Sequence, residues 1–284
     1  MLNARAESVP LRRLRRNPGA LVGLVLLLAV VALALLAPLI APAPENAQDW
    51  SNRLKAPSLE HPMGTDEFGR SVLTRVLYGG RVSLLSGFVP VLIGLSIGTL
   101  MGLLAGYFGG FLDALFMRLM DILLAFPSIF LALAIVGIFG PSLFNAILAI
   151  GLVSIPNYAR LTRAEVLKLK NTEFVESATA LGASRVRILL RHLLPNSLSP
   201  LIVQATLGVG GAILATAGLS FLGLGVQPPT SDWGEMLASG RRYLPEAWWL
   251  AVFPGLAIAV TILAINLLGD GLRDALDPRL SDGK

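Results

Sequence analysis

Six long apolar runs constrain this chain more than any other feature of its sequence. None of them carries Asp, Glu, Lys or Arg at its centre. A helix of about 20 apolar residues crosses the hydrocarbon core of a bilayer, and a segment in lipid must satisfy its own backbone hydrogen bonds. The runs therefore predict six transmembrane helices, at about 20–41, 82–106, 114–139, 143–159, 198–221 and 248–268.

Composition agrees with this interpretation. Only 14% of the residues are charged and the mean hydropathy is +0.70, whereas soluble domains carry about 25% charged residues. The fold class predicted is therefore an all-α polytopic membrane protein. The net charge of +5 is better explained by membrane topology than by nucleic-acid binding, because no basic tract is interleaved with aromatic residues.

The distribution of basic residues orients the chain. Residues 1–19 contain five arginines and precede an apolar run too long for a signal peptide, so a cytoplasmic tail and a retained first transmembrane helix at 20–41 are expected. With both termini inside, 16 of the 23 Lys and Arg residues fall on the cytoplasmic side. Residues 42–81 form an extracytoplasmic segment with a short amphipathic helix expected at Ser71–Tyr78, and 82–284 form a core of five spans.

Several kinds of chemistry are excluded. The chain has no cysteine and two histidines, His61 and His192, which argues against thiol chemistry and against a metal centre. No phosphate-binding loop is present. Ion-coupled carriers usually need charged groups or broken helices at mid-membrane, and the predicted spans have uncharged centres. We expect neither an enzyme nor a cofactor in this chain.

The predicted spans contain two notable sets of residues, one of glycines and one of polar side chains. Glycines at every fourth position predict close helix packing; they are Gly94, Gly98, Gly102 and Gly106. Polar residues within the spans are candidates for lining a path, although each could instead form one interhelical hydrogen bond; they are Asn145, Asn157, Gln204, Thr206, Thr216 and Asn266. Pro127 predicts a kink in the third span, and Asp121 is expected to pair locally with Arg118.

One polar loop, residues 168–196, separates the fourth and fifth spans. It predicts two short amphipathic helices, the first capped by Thr172 and ended by Gly182, the second capped by Ser184 and ended by Pro195. From the residues alone, such a basic loop fits a lipid surface or a protein partner equally well.

The loop resembles the EAA loop of ABC-importer permeases. The matching residues are Glu176, Ser177, Ala178, Gly182, Ile188, His192 and Pro195. The family usually has Ala where this chain has Ser177. Two other stretches resemble the peptide and nickel branch, its C-type subunits: 61–84, where Ser71 replaces the usual Asp, and 219–234.

The resemblance implies an ABC type I importer permease fold in which the 168–196 loop contains a cytoplasmic coupling helix. Such a subunit forms half of a heterodimeric channel in the inner membrane that works by alternating access. The implied partners are membrane lipid, a homologous second permease, an extracytoplasmic solute-binding protein and two ATP-binding subunits, which bind ATP and magnesium. The expected cargo is di- or oligopeptides; nickel chelates or glutathione are alternatives. A secondary carrier and a membrane-anchored structural protein are the alternatives from other classes.

Overall fold

The computed structural model describes residues 14–15 and 17–276, and within them the ordered elements are helical apart from one isolated β-bridge. Two short 3₁₀ turns accompany ten helices. These are α1 (Pro18–Leu35), α2 (Ala37–Ile40), α3 (Val72–Phe108), α4 (Gly110–Leu124), α5 (Ser128–Phe139), α6 (Leu143–Leu169), α7 (Glu173–Ala180), α8 (Arg185–Phe221), α9 (Trp233–Gly240) and α10 (Trp249–Leu276).

The helix α3 runs the full depth of the molecule. Its 37 residues extend about 55 Å at 1.5 Å per residue, well beyond the thickness of a hydrocarbon core. The expected separate helix at Ser71–Tyr78 is instead its first turns. Gly79 and Gly80 do not break the helix, because both pack closely against the ring of Trp233. One end of α3 thus lies beside α9, and the other lies beside the 168–196 loop.

The third predicted span is broken. Its two halves, α4 and α5, meet at 88°, and Pro127 occupies the N-cap of α5, so the predicted kink is confirmed and is sharper than expected. With only 12 residues, α5 reaches about 18 Å. Five helices are long and apolar enough to span a membrane, or six if α4 and α5 form one broken span.

The main core lies where α3, α6, α8 and α10 pack together. The first helix, α1, lies along α10: a Cβ on Gly23 would lie 2.6 Å from the carbonyl oxygen of Ala264. At the end of α1, Arg81 donates to the carbonyl oxygens of Ala34 and Leu35, each at 2.7 Å. Large apolar side chains cover much of the outer surface, as expected of helices that face lipid.

Candidate coupling loop, cavities and buried charge cluster

The helix α7 ends in the turn that the sequence predicts. Gly182 adopts φ +81°, a left-handed conformation that favours glycine. The amide of Ala183 donates to the carbonyl of Ala178, and the amide of Gly182 donates to Thr179, which is the Schellman pattern. Thr172 precedes α7, but its hydroxyl donates back to Leu169 rather than accepting from the helix. The expected side-chain cap at Thr172 is therefore wrong.

The second helix of the 168–196 loop does not end at Pro195. Ser184 caps it as predicted, accepting from the amide of Arg187 at 3.4 Å, but the helix continues to Phe221 through a π-helical turn at Ile188–Leu193. The wider turn precedes the proline, whose position has no amide hydrogen. Two following side chains donate to backbone carbonyls of the turn: Asn196 to His192 and Ser197 to Leu193.

One side of the 168–196 loop packs against the long helices. Ile188 and Leu193 on α8 are buried, together with Val175 on α7. They form one apolar cluster with Leu103 on α3 and Val166 on α6. The loop is therefore packed firmly against α3 and α6.

The opposite face of the loop is exposed and apolar at its centre. Leu181 is 89% exposed, Val186 64% and Leu190 60%. The predicted motif residues lie around them: Glu176, Ser177, Gly182 and Pro195 are exposed, and Ala178 and His192 are half-buried. The His192 ring lies 6.4 Å from that of Phe174. Ile188, the seventh motif residue, faces inward.

The four glycines of α3 face α6 at very short range. A Cβ on Gly98 would lie 2.7 Å from the carbonyl oxygen of Ile155, and one on Gly102 would lie 2.4 Å from that of Ala159. Gly94 and Gly106 instead meet the side chains of Ser154 and Val166. Since small residues let helices approach closely in lipid, this face sets the distance between α3 and α6.

A cavity of about 360 Å³, here called the central cavity, lies among α3, α5, α6 and α8. Its polar lining includes Asn157 and Gln204, two of the predicted candidates, together with Ser128 and Ser154. The rest of its wall is apolar or small. The size and the mostly apolar lining of this cavity are within the range of small-molecule sites in proteins.

The other four polar candidates lie away from that cavity. Asn145 donates to the carbonyls of Phe139 and Gly140 and holds the α5–α6 turn. Thr216 is fully buried, and its hydroxyl is within bonding distance of two backbone carbonyls. Thr206 bonds within its own helix, and Asn266 is exposed on α10.

Two ion pairs join α4 to α6 near the 168–196 loop. Arg163 binds Asp113 through both guanidinium branches, with Nη2 to Oδ2 at 2.7 Å. Arg160 binds Asp121 at 2.6 Å. The expected local pair between Arg118 and Asp121 is therefore wrong, because the α6 arginine reaches the same carboxylate across the helix interface.

At the opposite end of α3 lies a buried charge cluster that the sequence reasoning missed. Arg75 is 3% exposed and binds Glu235 of α9 at 3.0 Å, while its Nε lies 3.7 Å from Asp66. Asp66 also binds Arg70 at 2.6 Å. Arg75 thus ties α3 to α9 and to residues 42–71. Its position beside the apolar Val72, Val76 and Leu77 is the only hint in the sequence.

Asp232 extends the polar network beside this cluster. Its carboxylate accepts from the Ser83 hydroxyl at 2.7 Å and from the amides of Gly234 and Glu235. It thereby caps α9. Burial raises the pKa of Asp232 because removal from water disfavours its charged form.

The helices and the 168–196 loop place the protein in a class, that of polytopic helical subunits of membrane transporters. Residues 98–282 match the family described as binding-protein-dependent transport system inner membrane component. Residues 10–57 match the N-terminal transmembrane domain of oligopeptide transport permease C. The chain belongs to this family of inner-membrane transport components.

Close relatives are permeases, and they align with this chain over nearly their whole length. A dipeptide transport system permease protein DppC from Alkalihalophilus pseudofirmus is 49% identical, over 95% of this chain and 88% of the relative. A di/tripeptide permease DppC from Pseudomonas aeruginosa is 50% identical, over 94% and 90%. A glutathione permease GsiD from Escherichia coli is 48% identical, over 95% and 89%.

Solved structures bear out the fold. A chain of the MetNI methionine ABC transporter in an inward-facing conformation aligns with a TM-score of 0.57 at 21% identity, covering 72% of this chain and 96% of that one. The protein is therefore an all-helical ABC-importer permease, a channel-forming membrane component rather than an enzyme. The predicted fold class and family are confirmed.

Proposed function

We propose that this permease forms half of a channel that imports di- or oligopeptides across the inner membrane, using the energy of ATP bound with magnesium on two separate subunits. A second homologous permease completes the channel, and an extracytoplasmic receptor delivers the cargo. The names of the dipeptide and di/tripeptide relatives support this cargo. Glutathione, the cargo named for another relative, is the second candidate and is itself a tripeptide.

One observation carries the mechanism: α8 joins the 168–196 loop to the central cavity without a break. It starts at Arg185 in the loop and provides Gln204 and Ala215 to the cavity wall. A displacement of the loop is therefore transmitted along α8 to the cavity. The buried cluster around Ile188 spreads the same displacement to α3 and α6.

The exposed apolar face of the loop supports docking on a protein. Leu181, Val186 and Leu190 are exposed apolar side chains of a polar loop, which we take together as one patch, and exposed apolar patches rimmed by polar residues mark interaction sites. We assign this patch to the ATP-binding subunits, with the loop and both termini in the cytoplasm. The central cavity then serves as a weakly selective passage, with Asn157 and Gln204 as its polar lining.

Reconstitution tests this proposal. The permease, its homologous partner, two ATP-binding subunits and receptor are placed in proteoliposomes and supplied with radiolabelled dialanine. Uptake should require ATP and all the subunits. Uptake by the permease alone, driven by a proton or sodium gradient, would instead identify a secondary carrier. No ATP-dependent uptake of any peptide would contradict the importer.

A further inference from the structure

A second cavity, here called the α9 cavity, lies at the end of α8 that is remote from the 168–196 loop. Its volume is about 420 Å³. It is enclosed by the end of α8, residues 221–228, and α9 with the turn that follows it. Its wall carries charges of both signs, unlike the central cavity, and these are Glu67, Glu235, Arg241 and Arg242.

Two of these four charges are already engaged. Glu235 binds Arg75 at 3.0 Å and accepts from the Ser239 hydroxyl at 2.6 Å. Arg241 lies over the ring of Phe221, with its guanidinium carbon 5.3 Å from the ring centroid.

The other two have no ion-pair partner among residues 14–15 and 17–276. They are Glu67, which is half-buried, and Arg242, which is exposed. The cavity therefore offers a ligand the Glu67 carboxylate and the Arg242 guanidinium, and Arg241, which lies over Phe221, also has no ion-pair partner among the described residues.

The positive charges of Arg70 and Arg75 only partly offset the burial of the Glu67 carboxylate. Burial raises the pKa of Glu67, and the neighbouring Asp66 carboxylate adds to this effect. A ligand cation placed beside Glu67 would favour its ionised form. The Arg242 guanidinium, which lines the same cavity, favours a ligand carboxylate. A neutral sugar or a ligand of a single charge sign uses only part of this wall.

The two cavities follow one another along α8. Ala215 lines the central cavity and Ser220 lines the α9 cavity. Five residues of helix separate them, or about 7.5 Å along the axis. The two cavities therefore border the same helix at neighbouring levels.

We propose that the α9 cavity is an entry subsite that holds a zwitterionic peptide by its two ends, with Glu67 binding the terminal ammonium and Arg242 the terminal carboxylate. This inference rests on the proposed peptide-import function and on its orientation, in which α9 lies outside. The cargo passes from this subsite to the central cavity when α8 moves. The subsite recognises the charged ends common to all short peptides and leaves side chains to the receptor.

A double cycle between cargo and permease tests the subsite. ATP-dependent uptake of dialanine and of dialanine amide, which lacks the carboxylate, is measured for the complete transporter containing wild-type or Arg242→Gln permease. For each permease, the uptake of dialanine is divided by that of dialanine amide. The receptor is the same in both transporters, so its own preference cancels when the wild-type value is divided by the Arg242→Gln value. N-acetyl-dialanine and Glu67→Gln form the matching cycle for the ammonium.

If the subsite exists, the preference for dialanine over dialanine amide should be about fivefold larger for wild type than for Arg242→Gln. This is the effect expected of one partly exposed charge pair. Arg242→Lys should recover part of the preference. Arg53→Gln and Glu246→Gln, which remove exposed charges elsewhere on the same side, should match wild type.

Equal preferences in all backgrounds, within about twofold, would overturn the subsite and leave the importer intact. If the wild-type transporter takes up no dialanine with ATP, the import function fails and the subsite with it.

Discussion

The glycine face of α3 makes a prediction whose size can be worked from distances. In Gly98→Ala, the new Cβ would lie 2.7 Å from the Ile155 carbonyl oxygen and 2.9 Å from the Ala159 amide nitrogen. Both atoms belong to the α6 backbone, so no side chain can rotate away. The helices must separate until the contact reaches ordinary van der Waals range, which costs about 1–3 kcal/mol. At about 2 °C per kcal/mol for a chain of this length, this loss corresponds to a fall in Tm of roughly 2–6 °C.

The assay is thermal unfolding of the purified permease in one detergent, followed by loss of the monodisperse peak. Gly211→Ala is the matched control, because a Cβ there meets nothing within 4 Å in the described residues and alanine favours a helix over glycine by about 1 kcal/mol. Gly94→Ala should cost less than Gly98→Ala, because Ser154 can move its hydroxyl. A Gly98→Ala protein that melts with or above Gly211→Ala would refute the reasoning.

Three other contacts give expectations of their own. Arg75→Met leaves Glu235 buried without its ion-pair partner, so the unfolding free energy should fall by about 3–5 kcal/mol; Arg53→Met should change it little, and an equal melting temperature for both would contradict a buried pair. Asp113→Asn should lower the free energy of unfolding by up to about 1 kcal/mol, and Asp121→Asn by less, because the pair of Asp121 with Arg160 is half exposed. If Asp121→Asn lowers the melting temperature more than Asp113→Asn does, the two ion pairs are not as described. On the 168–196 loop, Glu176→Lys should reduce co-purification of the ATP-binding subunits at unchanged Tm, and full retention of those subunits would argue against docking there.

The parts of the fold that depend on local pattern could be predicted. The apolar runs predict the long helices. Gly182 predicts the turn in the 168–196 loop, because a glycine after an amphipathic stretch commonly takes the left-handed conformation that ends a helix. The glycine spacing on α3 foretold a close helix partner. Each of these signals lies within one continuous stretch of chain.

The rest depended on contacts between distant residues. The sequence around Arg75 does not reveal that Glu235, 160 positions away, will bury it. Pro195 predicts the end of a helix, but α8 continues past it through the π-helical turn at Ile188–Leu193. The sequence also leaves open which apolar residues of the loop are buried and which, like Leu181 and Leu190, are exposed, since a packed face and a docking face have the same periodicity.

Coupling through the 168–196 loop is the central claim, and the turn at Gly182 tests it most directly. Gly182→Val places a β-branched residue at φ +81°, a conformation that such residues rarely adopt, and so re-aims α8 against α7. Ala180→Val adds the same two methyl groups to an exposed site in α7 and is the control. ATP-dependent dialanine uptake by the complete transporter should be lost in Gly182→Val and retained in Ala180→Val, at equal membrane levels of the permease. Equal uptake by the two variants would contradict the claim that this loop carries the motion.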